Sequence, residues 1–424
     1  MICVGDIDGI DFESVPVDYF WNTGDNTELK MHRIHAYPAK FPAFITTKAL
    51  DYAYNNNLEV SKIADIFCGC GTVAFEAMRS GIDFWGCDIN PVATMIAKAK
   101  SRKYNKEDLE LYYKSIIECF SRSEAGNSYE TANPRLQYWY DKEHYEDLVR
   151  LKKAIYSSTP IDSDYRLLFT CAFSNILKAT SKWLTKSIKP QVDPEKEPTD
   201  VLTAFKAQCR FMVGANEKSD ISGNASAEIV TGNILDVPVQ SSHIDMVITS
   251  PPYVTSYEYA DLHQLSSLWL DYAHDYRQLR EGSIGSLHHS NQLESEWDNL
   301  NSTGQRVVSA LQNLPKCRDK PKAHHVAKYF LDMQKVASKT RSMLRPDGIA
   351  LFVIGNTEYK GIRVDNAKHL AESLYQSGFS EVLVTKRKIR QKILTPYRDS
   401  RGRFTTDNSG RKVYSEEFIL VGRR

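Results

Sequence analysis

Residues that can do chemistry follow directly after an apolar run at 244–249, which predicts a buried strand. The next residues are Ser250, Pro251, Pro252 and Tyr253. Two consecutive prolines keep the backbone extended, so the Ser250 hydroxyl and the Pro251 carbonyl point away from the sheet as hydrogen-bond acceptors. Tyr253 adds a flat aromatic face. Acceptors beside an aromatic ring suit a planar base, which stacks on the ring while its exocyclic amine donates.

A glycine turn follows another predicted strand, at 62–67. Gly69 and Gly71 allow the chain to turn tightly and to approach a ligand closely. The next predicted strand ends at Asp88, where a carboxylate can accept hydrogen bonds from both hydroxyls of a ribose. The turn alone leaves a dinucleotide, S-adenosylmethionine or an unliganded α/β fold open. S-adenosylmethionine has no phosphate and needs only the glycine turn and Asp88. The acceptors at Ser250, which suit the amine of a base, favour this methyl donor over the other two possibilities.

Together these motifs resemble the DNA amino-methyltransferases, which make N4-methylcytosine or N6-methyladenine. In that family Asp, Asn or Ser precedes Pro-Pro and an aromatic residue, and Ser-Pro-Pro-Tyr is typical of the N4-cytosine branch. The family motif Phe-x-Gly-x-Gly matches Phe67 to Gly71. A third family element, an extended Phe-Pro segment over the methionine end of the cofactor, resembles His35 to Pro42. The resemblance covers the predicted sheet, roughly half of the chain.

The resemblance implies transfer of a methyl group from S-adenosylmethionine to the N4 amine of a cytosine flipped out of the duplex. Positioning and electrostatics carry such a transfer, so no covalent nucleophile is needed. The residues implied as catalytic are Ser250, Pro251, Pro252 and Tyr253. Those implied to bind the cofactor are Tyr37, Pro38, Phe41, Asp65, Phe67, Cys68, Gly69, Gly71, Thr72, Asp88, Ile89, Asn233 and Ile234.

Seven apolar runs predict the strands that position these residues: 62–67, 83–87, 227–230, 244–249, 349–354, 381–385 and 417–421. Helical patterns lie between most of them, which predicts an α/β fold whose parallel strands are covered on both faces. The expected class is a Rossmann-like methyltransferase sheet of about seven strands with an antiparallel last hairpin. Two mainly helical insertions, at 103–226 and 261–345, are candidate DNA-contacting regions. They divide the methyltransferase domain into 1–102, 227–260 and 346–424.

Charge is balanced overall but not locally. Lys and Arg number 54 and Asp and Glu number 53 among 424 residues, a net charge of +1, which excludes a uniformly basic nucleic-acid binder. Residues 386–403 nevertheless hold eight cations and one acid. They predict a phosphate-contacting surface for double-stranded DNA, and the alternative is a solvated face that guards a sheet edge. These cations are Lys386, Arg387, Lys388, Arg390, Lys392, Arg398, Arg401 and Arg403.

Membrane and metal roles are not expected. No apolar run reaches the roughly 20 residues that span a bilayer, and acidic residues stand where a signal peptide has cations, which favours a cytoplasmic protein. The pairs His288–His289 and His324–His325 lack neighbours that would complete a metal-ligand set.

Several alternatives stay open. In the best-known N4-cytosine enzymes the Pro-Pro motif precedes the glycine motif, whereas here it follows. N6-adenine specificity, RNA base methylation and a nucleic-acid module with an inactive cofactor fold therefore remain alternatives. A nucleotide-dependent oxidoreductase would not need the Ser-Pro-Pro-Tyr motif. Family analogy also implies a restriction-modification role with a cognate restriction endonuclease as partner.

Overall fold

A mixed β-sheet forms the centre of the protein. The computed structural model describes residues 1–5, 9–22, 27–38, 40–124, 126–187, 189–221, 223–254, 259–285, 293–315, 320–389, 397–398, 404–405, 407, 411–412 and 415–424. Its strands are β1 (Ile2–Cys3), β2 (Lys62–Asp65), β3 (Asp83–Asp88), β4 (Ala227–Thr231), β5 (Ile244–Thr249), β6 (Leu344–Ile354), β7 (Thr357–Tyr359), β8 (Ile362–Val364), β9 (Glu381–Lys388), β10 (Tyr397–Arg398), β11 (Phe404–Thr405), β12 (Arg411–Lys412) and β13 (Glu416–Arg423).

Within the described ranges, eight strands form the main sheet in the order β1-β9-β13-β6-β5-β2-β3-β4. The run from β6 to β4 is parallel, whereas β13 is antiparallel to both β6 and β9. The predicted α/β class with an antiparallel last hairpin is confirmed. The hairpin is not at the edge, because β1 pairs with β9 on its outer side. A two-residue strand shows no alternation in sequence, so β1 could not be predicted.

Helices cover both faces of the sheet, and no described helix is long and apolar enough to cross a membrane. The helices are α1 (Ala43–Asn55), α2 (Thr72–Arg79), α3 (Pro91–Lys100), α4 (Lys106–Arg122), α5 (Pro134–Trp139), α6 (Lys142–Ser158), α7 (Asp164–Ile176), α8 (Val201–Asn216), α9 (Tyr259–Leu262), α10 (Gln264–Trp269), α11 (Ser302–Gln312), α12 (Lys320–Met343) and α13 (Asn366–Gln376).

Side chains alternate between two cores because successive strand residues face opposite sides of a sheet. In β5, Met246 and Ile248 join the core under α1 to α4 and α6 to α8, whereas Val247 joins the core under α11 to α13. All three side chains are fully buried. The central strands are therefore apolar on both faces, which is why their sequences read as continuous apolar runs.

The first insertion contains α4 to α8, as its helical periodicity predicts, but one helix is shorter than expected. The pattern at 165–184 predicts a single helix, whereas α7 ends at Ile176. The Thr180 hydroxyl bonds to the carbonyl of Ile176, and the Ser181 hydroxyl bonds to that of Lys178. Side-chain bonds to nearby carbonyls compete with helical hydrogen bonds, so these two residues accompany the change from helix to turn.

Gly71 fixes how closely α2 and α3 pack beside the glycine turn. Its φ is +74°, and a Cβ built there would lie 2.6 Å from Cα and Cβ of Ala97 on α3. Only a residue without a side chain satisfies both the left-handed conformation and the close approach. The turn and the helix after it therefore depend on this residue type.

We expect Gly71→Ala to lower the free energy of unfolding by about 2–4 kcal/mol, from the left-handed conformation and the overpacking together. Urea unfolding measures this loss. The matched control is Gly214→Ala in α8, where nothing lies within 4 Å of the added Cβ. That change should leave stability equal or raise it by up to about 1 kcal/mol. Equal losses in both variants would contradict the packing argument.

Candidate active site

One hydrogen bond joins the two sequence motifs. Thr249 ends β5 and Asp65 ends β2, and these strands are parallel neighbours. The Thr249 hydroxyl donates to Oδ1 of Asp65 over 2.6 Å, and both residues are buried. Because Ser250 follows Thr249 and the glycine turn follows Asp65, the two motifs lie side by side at the carboxyl edge of the sheet. Open α/β sheets bind their ligands at this edge.

Asp88 holds the glycine turn in place. Its Oδ2 accepts the backbone N–H of Gly69 at 2.9 Å, and its Oδ1 accepts that of Asn90 at 2.9 Å. Gly69 has a φ of +48°, a left-handed conformation that favours glycine. Asn90 caps α3 by accepting the N–H of Val92, and Pro91 occupies the first helical position. The carboxyl group predicted to bind a ribose thus lies against the turn.

Two carboxyl groups, those of Asp65 and Asp88, give the site its acidic character. Burial raises the pKa of Asp65 to about 7, although the Thr249 hydrogen bond opposes this shift. Burial also raises the pKa of Asp88. Within the described ranges neither carboxyl forms an ion pair with a cation. Such a site attracts a positively charged ligand and repels a pyrophosphate.

Buried polar atoms also lack partners beside the turn. Oγ1 of Thr72, at the start of α2, and Nδ2 of Asn90 have no hydrogen-bond partner within the described part of the chain. Buried polar groups are normally hydrogen-bonded, so unpaired ones at a sheet edge are available to a polar ligand. The acids and these atoms together fit a cofactor that carries both a cation and hydroxyl groups.

The Phe-Pro segment covers the turn. A Cβ built on Gly69 would lie 3.7 Å from Cε1 of Tyr37, so the Tyr37 ring lies close to the glycine backbone. Tyr37 also stacks on His263, with ring centroids 5.0 Å apart and planes 26° apart. Burial lowers the pKa of His263 to about 3, so its imidazole is neutral near pH 7. The second insertion, which contains His263, thereby contacts the predicted cofactor segment.

The first insertion also contacts this segment. The N–H of Ala36 donates to Oδ1 of Asn175 at 2.8 Å, and Nε2 of Gln208 donates to the carbonyl of Ile34 at 2.7 Å. Asn175 and Gln208 also bond to each other. Both helical insertions therefore hold the residues around Tyr37.

The Pro-Pro turn is anchored on both sides. Pro251 is buried and Ser250 is partly exposed. The Tyr253 hydroxyl donates to Oε1 of Glu417 at 3.0 Å. After the turn, the Val254 carbonyl lies 3.1 Å from Nε2 of His325 on α12. Burial lowers the pKa of His325, so its neutral ring donates Nε2–H to this carbonyl.

The remaining predicted cofactor residues differ in burial. Ile234 and Cys68 are buried, and Phe41 and Phe67 are partly buried against the two cores. Pro38 is partly exposed beside Tyr37. The structure brings Tyr37, Asp65, Gly69, Gly71, Thr72 and Asp88 together, as the preceding contacts show.

Asn233, predicted to bind the cofactor, forms its hydrogen bonds within the protein. Its Nδ2 donates to the carbonyl of Gly282 at 2.9 Å, and its Oδ1 accepts the N–H of Leu235. A Cβ on Gly282 would lie 3.4 Å from Cδ1 of Ile89, another predicted cofactor residue. Residues of the second insertion thus cover this end of the site, and both polar atoms of Asn233 bond to protein.

Two cations of the basic stretch face inward, which corrects their predicted phosphate contacts. Lys386 is 7% exposed and donates to the carbonyl of Glu13, and Arg387 is 3% exposed and pairs with Glu417. The physical reason is that residues 16–18 pair alongside Lys386 and extend the sheet. Lys388 remains exposed. Arg390, Lys392, Arg401 and Arg403 lie outside the described residues, and Arg398 is described only as part of β10.

Metal ligation finds no support in the part of the chain that is described, because no group of three His, Cys, Asp or Glu residues lies close enough together there. His288 and His289 lie outside it. His325 instead bonds to the Val254 carbonyl, and the His324 ring contacts Trp297.

The raised pKa of Asp65 predicts a pH effect on stability. Folding raises this pKa from 3.8 to about 7, so the folded state keeps a proton that the unfolded chain releases between these values. The contribution to stability is therefore complete below about pH 4 and is lost as the pH rises through 7. Relative to Asp65→Asn, the wild type should lose about 3 kcal/mol between pH 5 and pH 8.

Urea unfolding of both proteins across this range measures the difference. Asp51→Asn, an exposed residue on α1, controls for the loss of a surface carboxylate. A constant difference between wild type and Asp65→Asn would contradict the raised pKa.

Known proteins resemble this chain over most of its length. It is 26% identical over 374 residues to the type II methyltransferase M.MvaI of Kocuria varians, which covers 81% of this chain and 80% of that protein. It is 24% identical over 357 residues to the type II methyltransferase M.BsoBI of Geobacillus stearothermophilus, covering 70% and 69%. No family model matches the sequence.

Among solved structures, a SAM-dependent methyltransferase from Methanosarcina mazei matches with a TM-score of 0.28 and 9% identity, covering 92% of this chain and 98% of that one. This TM-score is too low to indicate a shared fold. The sheet order, the glycine turn between Asp65 and Asp88, and the two long sequence matches all point to a methyltransferase. The chain is therefore similar, over most of its length, to type II methyltransferases.

Proposed function

We propose that this protein is a site-specific DNA methyltransferase that acts on the exocyclic N4 amine of a flipped cytosine. The observation that carries the proposal is the Thr249–Asp65 hydrogen bond, which sets the Ser-Pro-Pro-Tyr turn beside the glycine turn. The similarity to type II methyltransferases supports a DNA substrate. Ser250 in the first position of the motif supports the N4-cytosine choice, by resemblance to that branch of the family.

The cofactor would lie between the glycine turn and Tyr37. Asp88 would bond to ribose hydroxyls through the lone pairs that Gly69 and Asn90 leave free. Asp65 would face the cationic part of the ligand, where its buried carboxyl gains most from a positive charge. When bound, S-adenosylmethionine supplies an electrophilic methyl group.

The Pro-Pro turn would orient the target amine. The Ser250 hydroxyl and the Pro251 carbonyl would accept its two N–H bonds, which favours a pyramidal nitrogen whose lone pair is free to attack. The base would stack on Tyr253, and the surrounding helices would exclude water. The amine nitrogen would gain the methyl group as the methyl–sulfur bond of the cofactor breaks, and it would release one proton to solvent as the product leaves. No covalent intermediate with the protein is needed.

Contacts with the DNA backbone would come from the remaining cations of the basic stretch. Lys388 is exposed, and Arg390, Lys392, Arg398, Arg401 and Arg403 follow it in sequence. Cations that neutralise phosphates make affinity fall with rising salt. Protection against a cognate restriction endonuclease is the role that fits the type II relatives, and such an enzyme would be the functional partner.

Incubation with duplex DNA and methyl-labelled S-adenosylmethionine, followed by digestion to nucleosides, tests the substrate. We expect the label on N4-methylcytosine. Label on N6-methyladenine would replace the cytosine assignment, and label only on an RNA substrate would replace the DNA assignment. No label on either nucleic acid would overturn the proposed function.

The division of roles between the two motifs predicts different defects. Ser250→Ala should lower the methylation rate at least about 100-fold, because it removes a hydrogen bond to the reacting amine. It should leave S-adenosylmethionine affinity within about twofold. Asp88→Asn should instead weaken cofactor affinity about tenfold or more, since it removes charge from the ribose contact. Calorimetric titration with the cofactor separates these outcomes, and a Ser250→Ala variant that binds cofactor poorly would contradict them.

A further inference from the structure

An ion pair between a buried arginine and a partly buried glutamate lies beside the Pro-Pro turn. Arg387 on β9 and Glu417 on β13 face each other in the antiparallel register. Nη2 of Arg387 lies 2.5 Å from Oε2 of Glu417, and their side chains are 4% and 18% exposed. Buried pairs of this kind add little net stability compared with apolar residues of similar volume. The role of this ion pair beside the turn therefore depends on its other contacts.

The second oxygen of Glu417 contacts the proposed catalytic turn. Oε1 accepts a hydrogen bond from the hydroxyl of Tyr253 at 3.0 Å, and Oε2 accepts one from the guanidinium of Arg387. One carboxylate thus connects the sheet to the aromatic ring. Arg387 compensates the charge of Glu417, and hydrogen bonds to a carboxylate are stronger than those between neutral groups.

Backbone packing confines the same ring. A Cβ built on Gly355, just after β6, would lie 3.2 Å from Oη and 3.3 Å from Cζ of Tyr253. The hydroxyl edge of the ring therefore lies against the glycine backbone, and its hydroxyl points to Glu417. These two contacts leave the ring little freedom to rotate.

We propose that Glu417 and Arg387 are positioning residues that fix the ring plane of Tyr253 for the target base. The inference rests on the proposed function, in which the base stacks on this ring. Stacking of a base on an aromatic side chain contributes about 1–3 kcal/mol, and a ring already held in place loses less entropy on binding. Glu417 and Arg387 thus act on the amine through Tyr253.

Replacement of the pair by apolar residues separates positioning from stability. Arg387→Met combined with Glu417→Leu keeps volume and removes both charges, so stability should be equal or higher. The single-turnover methylation rate should fall about tenfold, with S-adenosylmethionine affinity unchanged within about twofold. Tyr253→Phe alone should cause a similar fall. Adding Tyr253→Phe to the pair replacement should cost less than about twofold more, because the hydrogen bond is already lost.

Two further variants complete the test. Glu417→Gln keeps an acceptor for the phenol and should retain a methylation rate between those of wild type and Tyr253→Phe. In the Tyr253→Phe background, Glu417→Gln should change the rate by less than about twofold. This smaller cycle decides the matter if the pair replacement does not fold. Arg79→Met with Glu76→Gln removes a partly buried ion pair at the end of α2, outside both insertions, and keeps an acceptor for His32. It controls for the loss of such a pair, with an unchanged rate expected.

The outcomes distinguish this inference from the proposed function. If the wild type methylates DNA and the pair replacement does so at the same rate, the inference is overturned and the proposed function stands. Independent losses from the pair replacement and Tyr253→Phe overturn the inference as well. A wild type that transfers no label to DNA overturns the proposed function and the inference together.

Discussion

The hydrogen bond from Thr249 to Asp65 is the constraint on which the site depends. It crosses between adjacent parallel strands at their carboxyl ends, where both partners are buried. A shift of one residue in either strand would turn its side chains to the opposite face and break this bond. The register of β2 and β5 thus places the Ser-Pro-Pro-Tyr turn beside the glycine turn, although the two motifs are far apart in sequence.

Buried acid explains why this edge suits a sulfonium cofactor. Each carboxyl group bonds to the backbone or a hydroxyl, and burial still raises the pKa of both Asp65 and Asp88. Hydrogen bonds fix the direction of these groups without supplying positive charge. A cationic ligand would supply that charge, whereas a phosphate would add repulsion. A protein that binds a dinucleotide at the same turn needs an environment that does not repel the pyrophosphate.

The sequence predicted those features that local patterns determine. The apolar runs located the central strands, and the motifs at Gly69 and Ser250 located the edge that carries the site. Contacts between distant segments could not be predicted. Lys386 and Arg387 form part of a basic run, yet residues 16–18 cover the first and Glu417 pairs with the second. Asn233 bonds to Gly282 for the same reason, since nothing near it in sequence indicates the second insertion.

Both insertions contact the segment around Tyr37, which the sequence predicts to cover the cofactor. Asn175 and Gln208 hold the backbone before Tyr37, and His263 packs on its ring. His263 stays neutral because burial lowers its pKa, so these contacts do not depend on a charge that changes near neutral pH. A movement of either insertion on contact with a nucleic acid would shift Tyr37 relative to Gly69. Such a movement would couple cofactor affinity to substrate engagement through packing, with a strength that depends on how closely Tyr37 lies against the turn.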